Sequence, residues 1–458
     1  MIQETPHLLL QEEVKLPCPL LDQRFSMVKK SIIKSENKQK VIESYIRLVK
    51  ALESEAELIA KLGPQAVPEI QFADLVSNGG RFPEHAADLV RERGCVIIRA
   101  VVPEAKAAQW ESDLKAYTHR HPQVGGVPEN NPQNWNLWWT PAQVQIRSHP
   151  DVLKAMDAVS ALWHVSEGVP MDLESQVVYP DRFRVRYPTT EQEYTLPAHQ
   201  DTGAMERWED PTYRACYQKI FEGRWEEHDP FCADHRSEAK TSLYDSDARC
   251  SAFRSMQGWI SLSHTNTGEG TLRLVPNIKL STAYLMLRPY FVLDETFDDT
   301  TPVFPGATPG SSQFFPTEEL HPHLRMEKTM VGIPPVNPGD YVFWHCDLIH
   351  EVDKFHPGKN DSSVSFNACV PLCPYNVQNL LRIREDFQKA IPPRDFRGLG
   401  RGHEVERDHD DHGARPENIL SPDGKRAMGF EAFDVDAEHL TAGQRDVRAY
   451  ANRLLGLV

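Results

Sequence analysis

The chain lacks any long apolar run. No stretch approaches the ~18 residues that a membrane-spanning helix needs, so no membrane partner is expected. Residues 1–20 offer only Leu8-Leu9-Leu10 where a secretory leader needs a basic start and a longer apolar core. The eight cysteines (Cys18, Cys95, Cys216, Cys232, Cys250, Cys346, Cys369 and Cys373) include no C-x-x-C pair, which argues against zinc-ribbon and dithiol chemistry. Cys95 and Cys369 lie in apolar runs and read as small core residues, so a reducing, cytoplasmic compartment is expected. There is no glycine-rich phosphate loop, no basic stripe and no internal repeat. Lys and Arg (50) are outnumbered by Asp and Glu (66), and the formal net charge of −16 repels phosphate backbones. Nucleic acid is therefore set aside as a partner, and the short basic segments around Lys29-Lys30 and 34–40 read as a solvated face.

What is present suffices for a large buried core: 458 residues, 40% of them hydrophobic. The 35 prolines point to loops and turns rather than a helical bundle. Residues 1–36 show no clear period. Val41, Tyr45, Leu48, Val49, Leu52 and Ile59 recur at helical spacing and predict a helix over 37–62, closed by Gly63-Pro64. A helix over 83–93, a β-rich run over 95–102 and a helix opened by Pro103 follow, and 150–164 reads as another helix. Beyond it come short β-prone runs at 183–187, 257–262, 270–275, 341–345 and 363–370, the pattern of a sandwich or jelly roll. Two stretches, 203–255 and 295–335, interrupt it as long insertions of the kind that serve as lids or subunit contacts, so a homo-oligomer is an open expectation. An amphipathic helix over 376–389, a charged surface stretch over 397–425 and a final helix capped by Thr441-x-x-Gln444 complete the chain. The reading is α+β: a helical arm (1–93), a core (94–375) and a helical extension (376–458).

One string carries chemistry: Leu196-Pro197-Ala198-His199-Gln200-Asp201-Thr202-Gly203. On a strand, His199 and Asp201 face the same side and can bind one metal from one sheet edge. An imidazole and a carboxylate suit Fe(II), and a third ligand from another strand would complete a facial triad. H-x-D alone is a weak signal and more often a surface turn. A second segment, 339–352, supplies candidates: a Gly339-Asp340 turn enters an apolar strand, with His345 in it and His350 at the start of the next. His345-Cys346-Asp347 is itself a second H-x-D, but it lies too close to His350 for three ligands to come from separate strands.

These pieces resemble the phytanoyl-hydroxylase-like branch of the Fe(II)/2-oxoglutarate oxygenases, and within it the YbiU-like group of bacterial and fungal proteins. The resemblance runs from about Gly94 to Pro371. It is carried by Arg93-Gly94-Cys95-Val96-Ile97-Ile98-Arg99 with Val102-Pro103, by His199-Gln200-Asp201, by Gly258-Trp259-Ile260-Ser261-Leu262 with 270–276, and by the Gly-Asp turn leading to His350. It implies a double-stranded β-helix (jelly-roll, cupin-like) core with helical buttresses, and iron held by His199, Asp201 and His350. It leaves His345 as a pocket residue, and His321, His323, His403, His409 and His412 as loop residues.

The resemblance further implies 2-oxoglutarate and O₂ as co-substrates. It implies oxidation of a C–H bond in a small molecule, such as an amino acid or secondary metabolite, by hydroxylation, desaturation or cyclisation. Asp201 argues against a halogenase, which needs that coordination position vacant. One feature departs from the pattern. The family grips the far carboxylate of 2-oxoglutarate with an Arg soon after the distal His, and 351–363 contains none. Arg184 and Arg186, which alternate on one strand face, rank first as substitutes, followed by Arg273 and Ser363, with Trp259 and Phe343 as candidate pocket walls. Two other readings stay open: an iron oxidase independent of 2-oxoglutarate, and a non-enzymatic metal-binding jelly-roll protein.

Overall fold

Short β-prone runs bounded by turn residues become strands in the computed structural model of the protein, which describes residues 20–191, 195–244, 250–292, 295–399 and 406–457. In chain order the strands are β1 (Glu69–Gln71), β2 (Cys95–Arg99), β3 (Gly126–Val127), β4 (Asn134–Trp135), β5 (Asp172–Gln176), β6 (Phe183–Arg186), β7 (Met256–Ser261), β8 (Leu272–Leu274), β9 (Val331–Gly332), β10 (Tyr341–His345), β11 (His350–Val352), β12 (Ser362–Phe366) and β13 (Pro371–Leu372). Eight form one mixed sheet in the order β1-β2-β10-β7-β12-β6-β4-β3, antiparallel except for β1 against β2. A smaller sheet runs β11-β8-β9, and β13 pairs with β5. The smaller sheet is extended by single bridges, His199 to His350 and then Gln200 to Phe314. The architecture is a mixed α/β fold around a large mixed sheet.

The register fixes which side chains face the site, because residues paired across a sheet share a face. Trp344 pairs with Gln257, Val342 with Trp259, Trp259 with Phe366, and Val364 with Ser261 and Arg184. These residues look towards the smaller sheet, as shown by the Trp344 ring lying 5.2 Å from that of His350. The opposite face carries Tyr341, Phe343 and His345, which pack outwards.

The turn before β10 explains its abrupt start. Gly339 has φ +91°, and a Cβ there would lie 2.1 Å from the Val102 carbonyl oxygen. Asp340 accepts hydrogen bonds from the Ala100 and Asn337 amides (both 2.9 Å) and from the Arg99 guanidinium (2.6 Å). The Gly-Asp pair therefore pins β10 to the chain just after β2.

Of the helices expected from periodicity, α2 (Lys38–Leu62) follows α1 (Arg24–Ile32), and others span Glu84–Arg93, Glu104–Arg120, Pro150–Ser160 and Pro374–Lys389. The capping box at Thr441 and Gln444 opens a helix over Ala442–Leu455. α1 falls inside the stretch without clear period. A helix over Ile278–Leu287 was not foreseen either: Ile278 and residues 281–287 are all buried, so no polar face marks a 3.6-residue repeat. It packs on α2, where Tyr45 stacks on Tyr284 with ring centroids 6.2 Å apart. The 397–425 stretch holds 3₁₀ turns and a short helix over Pro422–Ala427, and His403 lies outside the described residues. No helix among the described residues is long and apolar enough to cross a membrane.

Candidate metal centre

His199 and His350 are brought together by backbone pairing. Each donates its amide to the other's carbonyl at 3.0 Å, joining segments 151 positions apart (350 − 199) at one edge of the smaller sheet. Asp201 follows His199 by two positions, so its carboxylate returns to the same side. Its Oδ1 lies 3.7 Å from His199 Nε2, and its Oδ2 lies 3.7 Å from His350 Nε2. All three ligand atoms fall within 4.8 Å of one another. Two atoms each about 2.1 Å from a shared ion are separated by about 3.0 to 4.2 Å, so this spacing fits one metal.

The imidazoles are oriented for that role. His199 Nδ1 lies 2.7 Å from the Pro197 carbonyl, and His350 Nδ1 lies 3.0 Å from the Leu348 carbonyl. A carbonyl only accepts, so each Nδ1 carries the proton and each Nε2 lone pair points into the centre. Burial, aided by the neighbouring His199, pushes His350 down to about 3, which keeps it neutral and able to bind metal. Burial acts to raise Asp201, but His199, His350, Arg254 and the Gln313 amide outweigh it and hold the carboxyl below its usual range. Gln313 Nε2 donates to Asp201 Oδ1 at 2.7 Å and so fixes the carboxylate's rotation.

The turn after Asp201 is strained. Thr202 has φ +69° and Gly203 φ +86°. A Cβ on Gly203 would sit 2.6 Å from the Thr241 carbonyl oxygen. Gly203→Ala is expected to lower stability by about 1–3 kcal/mol and to weaken metal binding, checked by urea unfolding and by metal titration of the same preparation.

Behind the ligands lies a buried ionic cluster. Arg207 donates to the Asp201 carbonyl (2.7 Å) and to Asp347 Oδ1 (2.6 Å), and Arg236 donates to Asp347 Oδ2 (2.6 Å). The Tyr217 hydroxyl lies 3.2 Å from both Asp347 oxygens, and the Gln200 side-chain amide donates to the Asp347 carbonyl. Asp347 is three residues before His350, so the cluster ties the two ligand-bearing segments to each other. Arg207, Tyr217 and Arg236 come from the irregular 203–255 segment, where no periodicity marks them.

The remaining candidates are sorted by face. Arg184 and Arg186 stand on the inward face of β6, opposite Val364 and Ser362. Arg184 donates to the Gly270 carbonyl at 3.4 Å and Arg186 to that of Asp353. Arg273 is turned away from the centre: it pairs with Glu351, out of step with His350, and holds that carboxylate at 2.5 Å. Ser363 also faces away and donates to Glu111 of the helix over Glu104–Arg120. Trp259 is on the inward face, whereas Phe343 stacks on Tyr341 at 3.9 Å on the other.

His345, Cys346 and Asp347 form a second compact group, but their ligand atoms are engaged. His345 Nε2 meets the Pro230 carbonyl at 2.9 Å, its Nδ1 accepts from the Asp347 amide at 3.0 Å, and Asp347 is held by two guanidiniums. His409 stacks on His121 at 3.8 Å and pairs with the Tyr117 hydroxyl.

Fold and site together define a mixed α/β protein with a buried His/Asp/His cluster suited to one metal ion. The chain belongs to the Gig2-like family, whose model matches residues 19–430. It is 30% identical to the Escherichia coli (strain K12) protein YbiU over 357 residues, covering 75% of this chain and 82% of that protein. Among solved structures, GlcNAc Inducible Gene 2 (GIG2) of Candida albicans superposes with a TM-score of 0.87 at 38% identity, covering 96% of both chains. A Salmonella typhimurium LT2 protein, provisionally named an oxidoreductase, gives a TM-score of 0.75 at 27% identity, over 89% of this chain and 96% of its own.

Proposed function

We propose that the protein is a non-haem Fe(II)- and 2-oxoglutarate-dependent oxygenase that acts, with O₂, on a C–H bond of a small molecule. The convergence of His199, Asp201 and His350 carries the reading. Two imidazoles and one carboxylate on one side of an ion leave its other positions open. Iron and 2-oxoglutarate, when bound, supply the oxidising chemistry. The protein's own residues hold, orient and exclude. Gln313 and the two backbone carbonyls keep the ligand atoms aimed, and the burial of His199 and His350 keeps bulk water away. The provisional naming of the Salmonella relative as an oxidoreductase agrees.

Strand order supports a double-stranded β-helix. From β6 onward the chain alternates between sheets: β6 in the large one, residues 199–200 at the edge of the small one, β7 large, β8 and β9 small, β10 large, β11 small and β12 large. Such winding between two facing sheets leaves an interior with the metal ligands at one end.

In that interior, Arg184 is the first choice for the far carboxylate of 2-oxoglutarate and Arg186 the second. Both stand on the inward face, next to the β12 strand that lacks an Arg. Arg184→Gln is expected to raise the apparent Kd for 2-oxoglutarate at least tenfold while leaving Fe(II) affinity within about twofold, since a charge-assisted bond contributes about 1.5–3 kcal/mol. Anaerobic titration followed by visible absorption reads both constants. Unchanged 2-oxoglutarate affinity in Arg184→Gln and in Arg186→Gln would remove the assignment.

A further inference from the structure

The two oxygens of the Asp201 carboxylate meet neighbours of different charge outside the ligand set. Gln313, a neutral amide, donates to Oδ1 at 2.7 Å. Arg254, a cation, brings its Nη2 to 4.0 Å from Oδ2. At that distance there is no hydrogen bond, so the Oδ2 lone pairs stay free for a metal while the charge still acts on them. Orienting the carboxylate takes only the amide. The guanidinium adds a charge, and burying a charge is costly.

The chain on both sides of Arg254 holds it in place. Asn376 accepts from the Phe253 amide at 2.7 Å and donates to the Phe253 carbonyl at 2.9 Å, and the Ser255 amide donates to the Cys369 carbonyl at 3.0 Å. The guanidinium lies over the Tyr179 ring at 5.4 Å. Only 13% of the side chain is exposed, and Asp201 is the one carboxylate within 4.0 Å of it among the described residues. Arg207 is placed differently: it meets the backbone carbonyl of Asp201, and Asp347 balances its charge. Arg254 thus faces a ligand carboxylate with no other carboxylate to balance it. A cation there favours the metal-free anion. It also opposes any metal ion, and a trivalent ion more than a divalent one, because the repulsion scales with charge.

We propose that Arg254 is a positioning residue acting through Asp201, whose charge makes the centre hold iron in the divalent rather than the trivalent state; this rests on the centre's binding iron and on nothing about the co-substrate or substrate. The proposed oxygenase needs ferrous iron at the start of each turnover. A centre exposed to O₂ between turnovers keeps its activity only while the ferric form is disfavoured. Arg254 trades some metal affinity for that preference.

The test is the midpoint potential of the bound iron, measured without 2-oxoglutarate by mediated redox titration of the ferric electron-paramagnetic signal. It is run on the wild type, Arg254→Gln, Arg254→Met and Arg254→Lys, each checked for folding by circular dichroism. Removing the charge, in Arg254→Gln or Arg254→Met, is expected to favour Fe(III) over Fe(II) at least tenfold, a potential lower by about 59 mV or more for this one-electron couple. Arg254→Lys keeps the charge and should keep most of the wild-type potential. Titration with Co(II), followed by its visible bands, reads divalent affinity separately. The charge-free variants should bind Co(II) at least as tightly as the wild type, whereas a residue that only supported the ligands would lose roughly 10–100-fold on removal. A potential unchanged or raised in whichever charge-free variant folds would overturn the proposal. So would an equal fall in Arg254→Lys, or a tenfold loss of Co(II) affinity in Arg254→Gln and Arg254→Met. A wild type that takes up Co(II) but no iron would sink the iron reading instead, and the Co(II) comparison would still decide whether the charge of Arg254 opposes metal at this centre.

Discussion

Asp347→Asn is expected to lower the free energy of unfolding by about 3–5 kcal/mol, the cost of breaking a buried ion pair by removing one partner. Asp347, Arg207 and Arg236 are all buried, and the carboxylate lies 2.6 Å from each guanidinium. Asparagine keeps the shape and most hydrogen-bond geometry but leaves two guanidiniums without a counter-charge. Urea unfolding of wild type and variant gives the difference directly. Glu227→Gln, which removes an exposed ion pair with Arg224, should cost no more than about 1 kcal/mol and serves as the comparison. A loss below about 1 kcal/mol in Asp347→Asn would mean the cluster is not holding the two ligand segments together.

The same cluster has a pH signature. Burial acts to raise Asp347, but Arg236 and Arg207 outweigh it and hold its carboxyl far below the ordinary range. A depressed folded-state pKa contributes stability above the unfolded value, about 3.9, and that stability is lost as pH falls below it. Wild type should therefore lose stability more steeply than Asp347→Asn below about pH 4.

The second large effect is on metal. His199→Ala removes one of three ligands and should weaken Fe(II) binding by well over 100-fold. Gln313→Ala, which removes only the amide steering Asp201, should fall in the roughly 10–100-fold range seen for such outer partners. Equilibrium titration against a competing chelator separates the two. Similar, small losses in both variants would place the iron elsewhere.

Most of what positions the site was legible in the sequence. Helical spacing in 38–62, the β-prone runs and the Gly339-Asp340 turn each leave a local signature, and the structure bears them out. His199 and Asp201 were legible because a two-residue spacing on a strand is a local fact. Their meeting with His350 was not; it depends on how the sheets wind, and it came from resemblance to a family. Arg207, Gln313 and Arg254 were invisible for a plainer reason. They arise from or beside irregular insertions, where no period separates inward from outward residues. Arg273 misled because it sits in an apolar strand, yet Glu351 directly across the ladder accounts for its charge. Ser363 misled through register, since alternate residues of β12 face opposite sides.

The central claim is a single centre that binds Fe(II) through His199, Asp201 and His350 and then chelates 2-oxoglutarate. Anaerobic addition of Fe(II) to the metal-free protein, then of 2-oxoglutarate, followed by visible absorption, tests it without knowledge of the substrate. The account predicts a weak charge-transfer band that needs both components and is absent in His199→Ala. Iron binding with no band on addition of 2-oxoglutarate would contradict it.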